Sequence, residues 1–99
     1  MNSTSSIALS GMNAAQQQLQ ASAHNVANAG TPGYRRLEAR QTAQTGGGVT
    51  AEIQRTNAEG AALEADIVAQ LQARNAYLAN LSVFRSSHRM AGVLLNIRA

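Results

Sequence analysis

The feature that most constrains the fold of this chain is a helix stop followed at once by a tight turn, in residues 25–36, N-V-A-N-A-G-T-P-G-Y-R-R. Gly30 is predicted to close a helix in the left-handed conformation, and Pro32 cannot continue one. Thr31–Tyr34 then fits a type II turn, in which Gly33 supplies the positive φ of the third position. The chain is therefore predicted to reverse between two helical segments.

Residues 1–30 are predicted to form the first helix, with Ser5 or Ser6 as its N-cap. Its apolar side chains recur at a seven-residue spacing, which is typical of the narrow seam of a coiled coil. The main row consists of Met12, Leu19 and Val26, and small residues lie beside it: Ala8, Ala15, Ser22 and Ala29. These small residues favour close contact with other helices.

Residues 31–56 are predicted to contain the turn and a short β segment. Three consecutive glycines at 46–48 interrupt any regular element. From Val49 to Thr56 apolar and polar residues alternate, which is the period of a half-buried strand. A lone strand is unstable in water, so this one is expected to pair with Arg36–Arg40 as a hairpin, or with a neighbouring subunit.

Residues 57–99 are predicted to form the second helix, with Thr56 and Glu59 as its capping box. About 40 residues at ~1.5 Å each give a helix near 60 Å long. A compact domain of this size has a radius of gyration of only about 13 Å. Part of the apolar stripe of this helix must therefore be covered by other chains. That stripe consists of Leu63, Ile67, Leu71, Leu78, Leu81, Phe84, Met90, Leu94 and Ile97.

Near the end of this helix, four large aliphatic residues occupy five positions. Leu94 and Ile97 are expected to pack internally, whereas Val93 and Leu95 are expected to face outward. Together with Leu94 and Ile97, Leu95 is a candidate assembly residue. The fold is thus predicted to be mainly α: a single domain of two long antiparallel helices, a coiled-coil hairpin, with a turn and a short β segment between them.

Composition and charge exclude several classes of function. The chain has no cysteine, so it has no disulfide framework and no thiolate metal site. No apolar run reaches the roughly 18 residues of a membrane span, and the N-terminus lacks the pattern of a secretory signal peptide. The net charge is +3, but the eight arginines are spread from Arg35 to Arg98. Nucleic-acid binding is therefore a minor alternative.

No catalytic or cofactor-binding arrangement is predicted. Metal binding by the two histidines, His24 and His88, is a minor alternative to surface or interface positions, because no cysteine or carboxylate is suitably spaced. Glu64 and Asp66 are two residues apart on a helix and point in different directions, which argues against an acid–base pair. The sequence therefore predicts a protein that is not an enzyme and needs no cofactor.

Two motifs resemble those of the bacterial flagellar rod and hook proteins. Ser10-Gly11-Met12, followed by residues 23–36, is similar to the N-terminal signature S-G-(x)n-N-N-[IV]-A-N-x-x-T-P-G-[YF]-[KR], with His24 in place of the first Asn. Residues 73–80, A-R-N-A-Y-L-A-N, are similar to the C-terminal core [AS]-x-R-A-Y-x-A-N of that family. The matching positions are Asn25, Asn28, Gly30, Thr31, Pro32, Gly33 and Tyr34 in the first motif, and Arg74, Tyr77 and Asn80 in the second.

The resemblance implies a structural subunit of the basal-body rod, whose terminal helices pack into the wall of the axial tube. It implies assembly with other rod or axial proteins and with copies of itself, and export by the flagellar type III apparatus without a cleaved signal peptide. Asn75 and Asn80 either hydrogen-bond across a helix interface or are ordinary solvated amides. The alternative function is a soluble helical adaptor or an export-associated binding module for flagellar proteins.

Overall fold

The computed structural model of the protein describes residues 3–98 and consists of two helices joined by a β-hairpin. Helix α1 spans Ser3–Ala27, strand β1 Arg35–Ala43, strand β2 Val49–Glu59 and helix α2 Leu63–Arg98. This order confirms the two helices and the short antiparallel β element between them. The molecule is elongated, measuring 62 × 24 × 14 Å. No helix within the described residues is long and apolar enough to cross a membrane.

The two helices are antiparallel. Asn25 near the end of α1 contacts Asp66 at the start of α2, whereas Gly11 near the start of α1 contacts Asn80 farther along α2. These contacts place the last turns of α2 beside and beyond the first described residues of α1. Coiled-coil packing of the pair stays a prediction.

Small residues form the buried face of α1. Ser5, Ala8, Ala15 and Ser22 are almost fully buried, together with Met12, whereas Leu19 remains 42% exposed. The predicted row of large side chains is therefore buried only in part, and the adjacent small row makes the closest contacts. The predicted N-cap at Ser5 or Ser6 is wrong, because α1 already includes Ser3 and Ser5 is a buried helical residue.

The buried face of α2 is likewise not its aliphatic stripe. Asp66 and Ala73 are buried there, and Tyr77 and Phe84 on the same face are half-buried. The predicted stripe instead lies largely in solvent, with Leu63, Ile67, Leu71, Leu78, Met90, Leu94 and Ile97 all exposed. Small side chains bring helix axes closer than leucine would, so the alanine-rich faces pack together and the leucines remain outside.

The hairpin confirms the predicted pairing of the middle segment. Arg40 pairs with Glu52 and Ala43 with Val49, in an antiparallel register with an irregularity between Arg35 and Leu37. All three glycines at 46–48 adopt positive φ, which allows the sharp reversal between the strands. The hairpin lies against α1 and joins the two helices into one structure.

The predicted capping box at Thr56 is wrong. Strand β2 continues through Thr56 to Glu59, because this segment pairs with the start of β1, where Arg35 lies opposite Glu59. Gly60 then breaks the strand with a φ of 123°, and α2 begins at Leu63 rather than residue 57. Pairing with a distant strand has prevailed over a local helix signal.

Candidate functional site

The turn after α1 has the predicted type II form. Gly33 has a φ of 73°, and the Tyr34 amide donates to the Thr31 carbonyl at 3.2 Å. Gly30, however, is not among the glycines with positive φ, so the predicted left-handed cap at this position is wrong. Instead α1 ends at Ala27, and the backbone passes through further turns before Pro32.

Asn28 holds the segment between the helix and this turn. Its side-chain amide donates to the His24 carbonyl at 2.9 Å, and its side-chain oxygen accepts a hydrogen bond from the Thr31 hydroxyl at 3.2 Å. The Thr31 amide also donates to the Asn28 carbonyl at 3.0 Å. Asn28 therefore ties the last turn of α1 to the turn that follows it.

The two glycines of this segment provide a matched test. An alanine Cβ would meet no atom within 4 Å at either Gly30 or Gly33. We expect Gly33→Ala to lower the free energy of unfolding by about 1–2 kcal/mol, because only this position has positive φ. Gly30→Ala is expected to raise it by up to about 1 kcal/mol through the unfolded state. Urea denaturation of both variants measures the difference, and equal effects would contradict the assigned turn.

Asn25 is the centre of a buried hydrogen-bond network. It is 3% exposed, and its side chain pairs with the backbone of Leu37 in both directions, accepting from the amide at 2.7 Å and donating to the carbonyl at 2.8 Å. Within the described residues, β1 pairs with β2 on one side only, so its other edge is open. The Asn25 side chain pairs with that edge and acts as a one-residue extension of the sheet. It therefore fixes the hairpin against α1.

The same asparagine also contacts the turn and α2. Its side-chain oxygen accepts a hydrogen bond from the Tyr34 hydroxyl at 2.8 Å, and its side-chain nitrogen donates one to the Asp66 carboxylate at 3.1 Å. The Tyr34 hydroxyl oxygen also lies 2.8 Å from His24 Nδ1. Four segments of the chain thus meet at one side chain.

Asp66 anchors α2 to this network. It is 3% exposed and forms an ion pair with Arg36 on β1. The Arg36 side chain is only partly buried, and its buried Nε has no partner among the described residues. Asp66 points into the junction whereas Glu64 is exposed, so the two side chains face different directions as predicted. We call Asn25, Tyr34, Arg36, Leu37 and Asp66 the polar junction.

A second contact point involves Ser10 and Gly11, which the resemblance includes but to which sequence reasoning gave no role. The Ser10 hydroxyl donates to the Ile7 carbonyl at 2.7 Å and accepts the Val49 amide at 3.1 Å. A Cβ at Gly11 would lie 2.7 Å from the side chain of Asn80. Ser10 therefore holds the hairpin against α1, and the adjacent Gly11 allows the close approach of α2.

This close approach also has a matched test. Gly11→Ala is expected to be about 1–3 kcal/mol less stable than Gly92→Ala, because the added methyl would displace Asn80. Gly92 is also helical but has no atom within 4 Å of its Cβ position. The measurement is urea denaturation of both variants, alone and with Asn80→Ala. If the Asn80→Ala background leaves the difference unchanged, the Asn80 side chain is not the obstacle.

The C-terminal motif residues do not converge on one point. Asn80 donates to the Ala76 carbonyl at 2.8 Å within α2, and Asn75 is exposed. Arg74 and Tyr77 line a shallow groove between the helices together with Leu19 and Leu78. No group of three or more potential metal ligands occurs in the part of the chain that the structure describes.

The end of α2 departs from the prediction. Leu94 and Ile97 were expected to pack internally, but they are 57% and 75% exposed, and Leu95 is 68% exposed. The contacts between the helices explain the difference, because these turns lie beyond the first described residues of α1. Val93 is exposed as predicted.

The family model for the flagella basal body rod protein matches residues 6–35. This segment contains Ser10-Gly11 and the whole turn motif, and the match confirms the resemblance to that family. No curated protein shows a significant match to the chain.

Proposed function

We propose that this protein is a structural subunit of the bacterial flagellar basal-body rod, and that it assembles through the faces of its terminal helices. The observation that carries this proposal is the position of the large aliphatic side chains. The buried residues of the helices are alanine, serine, one methionine and polar residues, while most of the leucines and isoleucines of the helices are exposed. The exposed set is Ile7, Leu19, Leu63, Ile67, Val68, Leu71, Leu78, Val83, Met90, Val93, Leu94, Leu95 and Ile97.

An apolar surface of this extent is characteristic of a protein that is buried further by partners. In this proposal the polar junction sets the angle between the hairpin and the helices, through Asn25 and the turn motif. The C-terminal positions Arg74, Leu94, Leu95 and Ile97 present the contact surface, while Tyr77 and Asn80 lie against α1. Its partners are other axial subunits and further copies of itself, and no catalytic step is assigned to it.

The proposed location is the rod, reached by export through the flagellar type III apparatus. Support for this location comes from the family match over residues 6–35. The family resemblance of residues 73–80 and the elongated two-helix shape are consistent with a subunit of an axial structure.

The test is recovery of the full-length protein in purified basal bodies. A triple variant, Leu94→Ser with Leu95→Ser and Ile97→Ser, is expected to be lost from that fraction because each substitution removes exposed apolar surface that assembly would bury. Burial of each such side chain is worth roughly 1.5–3 kcal/mol. The control is Gln72→Ser with Asn75→Ser and Asn96→Ser, which changes exposed polar positions of the same helix.

Both variants must retain the helical content of the wild-type protein by circular dichroism. Normal incorporation of the triple variant would overturn the assignment of this surface to assembly. If wild-type protein is absent from basal bodies and forms a stable one-to-one complex in the cytoplasm, the adaptor function replaces the rod function.

A further inference from the structure

We infer that two separate patches on α2 bind each other between copies of this chain. This inference deepens the proposed function, on which it rests for the premise that the exposed helix faces are contact surfaces. The acidic patch consists of Leu63, Glu64, Ile67 and Leu71. The basic patch consists of Arg89, Met90, Val93, Leu94 and Ile97.

Charge along α2 is segregated. From residue 63 to residue 73 the helix has two acidic residues and no arginine, whereas from residue 74 to residue 98 it has four arginines and no acidic residue. Asp66 is already paired with Arg36, but Glu64 is exposed, as is Arg89. Opposite charges therefore accompany exposed aliphatic side chains at opposite ends of one helix.

This segregation also complements the helix dipole, so charge alone does not require a partner. The aliphatic side chains supply the second argument, since Leu63, Leu71 and Leu94 are all about half exposed or more. Each patch thus combines apolar area with a charge that the other patch complements. Such complementarity fixes which surfaces meet and suppresses contact between like patches.

The two patches lie far apart on one straight helix, so they cannot meet each other within one chain. At ~100° per residue, Glu64, Leu71 and Arg89 lie within roughly 20° of one another around the helix. The centres of the two patches are about 26 residues apart along it, or roughly 40 Å at ~1.5 Å per residue. The second copy is therefore the occupant of each patch.

The first experiment uses two variants of the full chain that each remove one patch. Leu71→Lys disables the acidic patch and Leu94→Asp disables the basic patch, and the same change of charge at Asn13, on the exposed side of α1, is the control. Wild-type protein and the control are expected to self-associate in sedimentation velocity as concentration rises. Each patch variant alone is expected to require at least roughly tenfold higher concentration. An equimolar mixture is expected to form a one-to-one heterodimer and nothing larger, because one intact pair of patches remains.

The second experiment tests the charges. Glu64→Arg and Arg89→Glu are each expected to weaken association by several-fold, with a larger effect at low salt. The double variant carrying both changes restores opposite charges and is expected to recover wild-type association. Circular dichroism confirms that every variant remains helical.

Three results would overturn the inference: a wild-type chain that stays monomeric, a mixture of patch variants that stays monomeric, or a double variant no better than the single ones. If basal bodies still incorporate the protein in that case, the rod function stands and only the self-contact is wrong. If self-association behaves as expected but basal bodies lack the protein, the rod function is wrong instead.

Discussion

Asn25→Asp is expected to be the most damaging single substitution in this chain, lowering the free energy of unfolding by about 3–5 kcal/mol. The change removes the donor that reaches the Leu37 carbonyl at 2.8 Å and the Asp66 carboxylate at 3.1 Å. It also places a second negative charge beside Asp66 in a buried site. Small domains are stable by only about 5–15 kcal/mol, so the loss should be evident as a large shift in urea denaturation.

The control for this prediction is Asn75→Asp, the same chemical change at an exposed position in the middle of α2. It is expected to alter the free energy of unfolding by no more than about 0.5 kcal/mol. Asn25→Ala is a useful intermediate, because it removes the hydrogen bonds without adding charge. If Asn25→Asp is no worse than Asn25→Ala, the predicted repulsion from Asp66 is absent.

Asp66→Ala is expected to lower the free energy of unfolding by about 2–3 kcal/mol, somewhat less than removal of a fully buried ion-pair partner. The reduction is expected because the Arg36 side chain is 23% exposed and stays partly hydrated when its partner is lost. Glu64→Ala, two residues earlier and exposed, is the matched control and should be nearly neutral. Urea denaturation measures both.

A double-mutant cycle identifies the ion pair as the cause. In an Arg36→Leu background, Asp66→Ala should cost less, because no unpaired guanidinium is left behind. A full additive loss would place the effect of Asp66 elsewhere, in its hydrogen bond with Asn25.

The turn and the hairpin could be predicted from sequence because their signals are local. The positive φ required at Gly33 and the three glycines at 46–48 mark reversals, and alternation from Val49 onward marks a strand. The end of α1 could not be predicted in the same way. A glycine such as Gly30 is the usual residue of a left-handed cap, but hydrogen bonds of Asn28 and Thr31 hold this segment without such a cap.

The predictions from sequence are wrong where contact with a distant segment outweighs a local preference. Thr56 and Glu59 have the spacing of a capping box, yet pairing with β1 keeps both in a strand. Periodicity also identified the aliphatic stripe of α2 but not its environment. Leu63 and Leu94 recur at helical spacing whether a partner helix covers them or solvent does.

The sequence by itself determined the two helices, the reversal between them and the strand that follows, because propensity, glycine conformation and periodicity act over a few residues. Only the tertiary structure decided which faces are buried and how the segments meet. Asn25 and Asp66 are 41 residues apart in the chain and form a hydrogen bond. Such a contact depends on the packing of the alanine and serine faces of the helices, whose close approach excludes the larger leucines. No local sequence pattern predicts which face of each helix is buried.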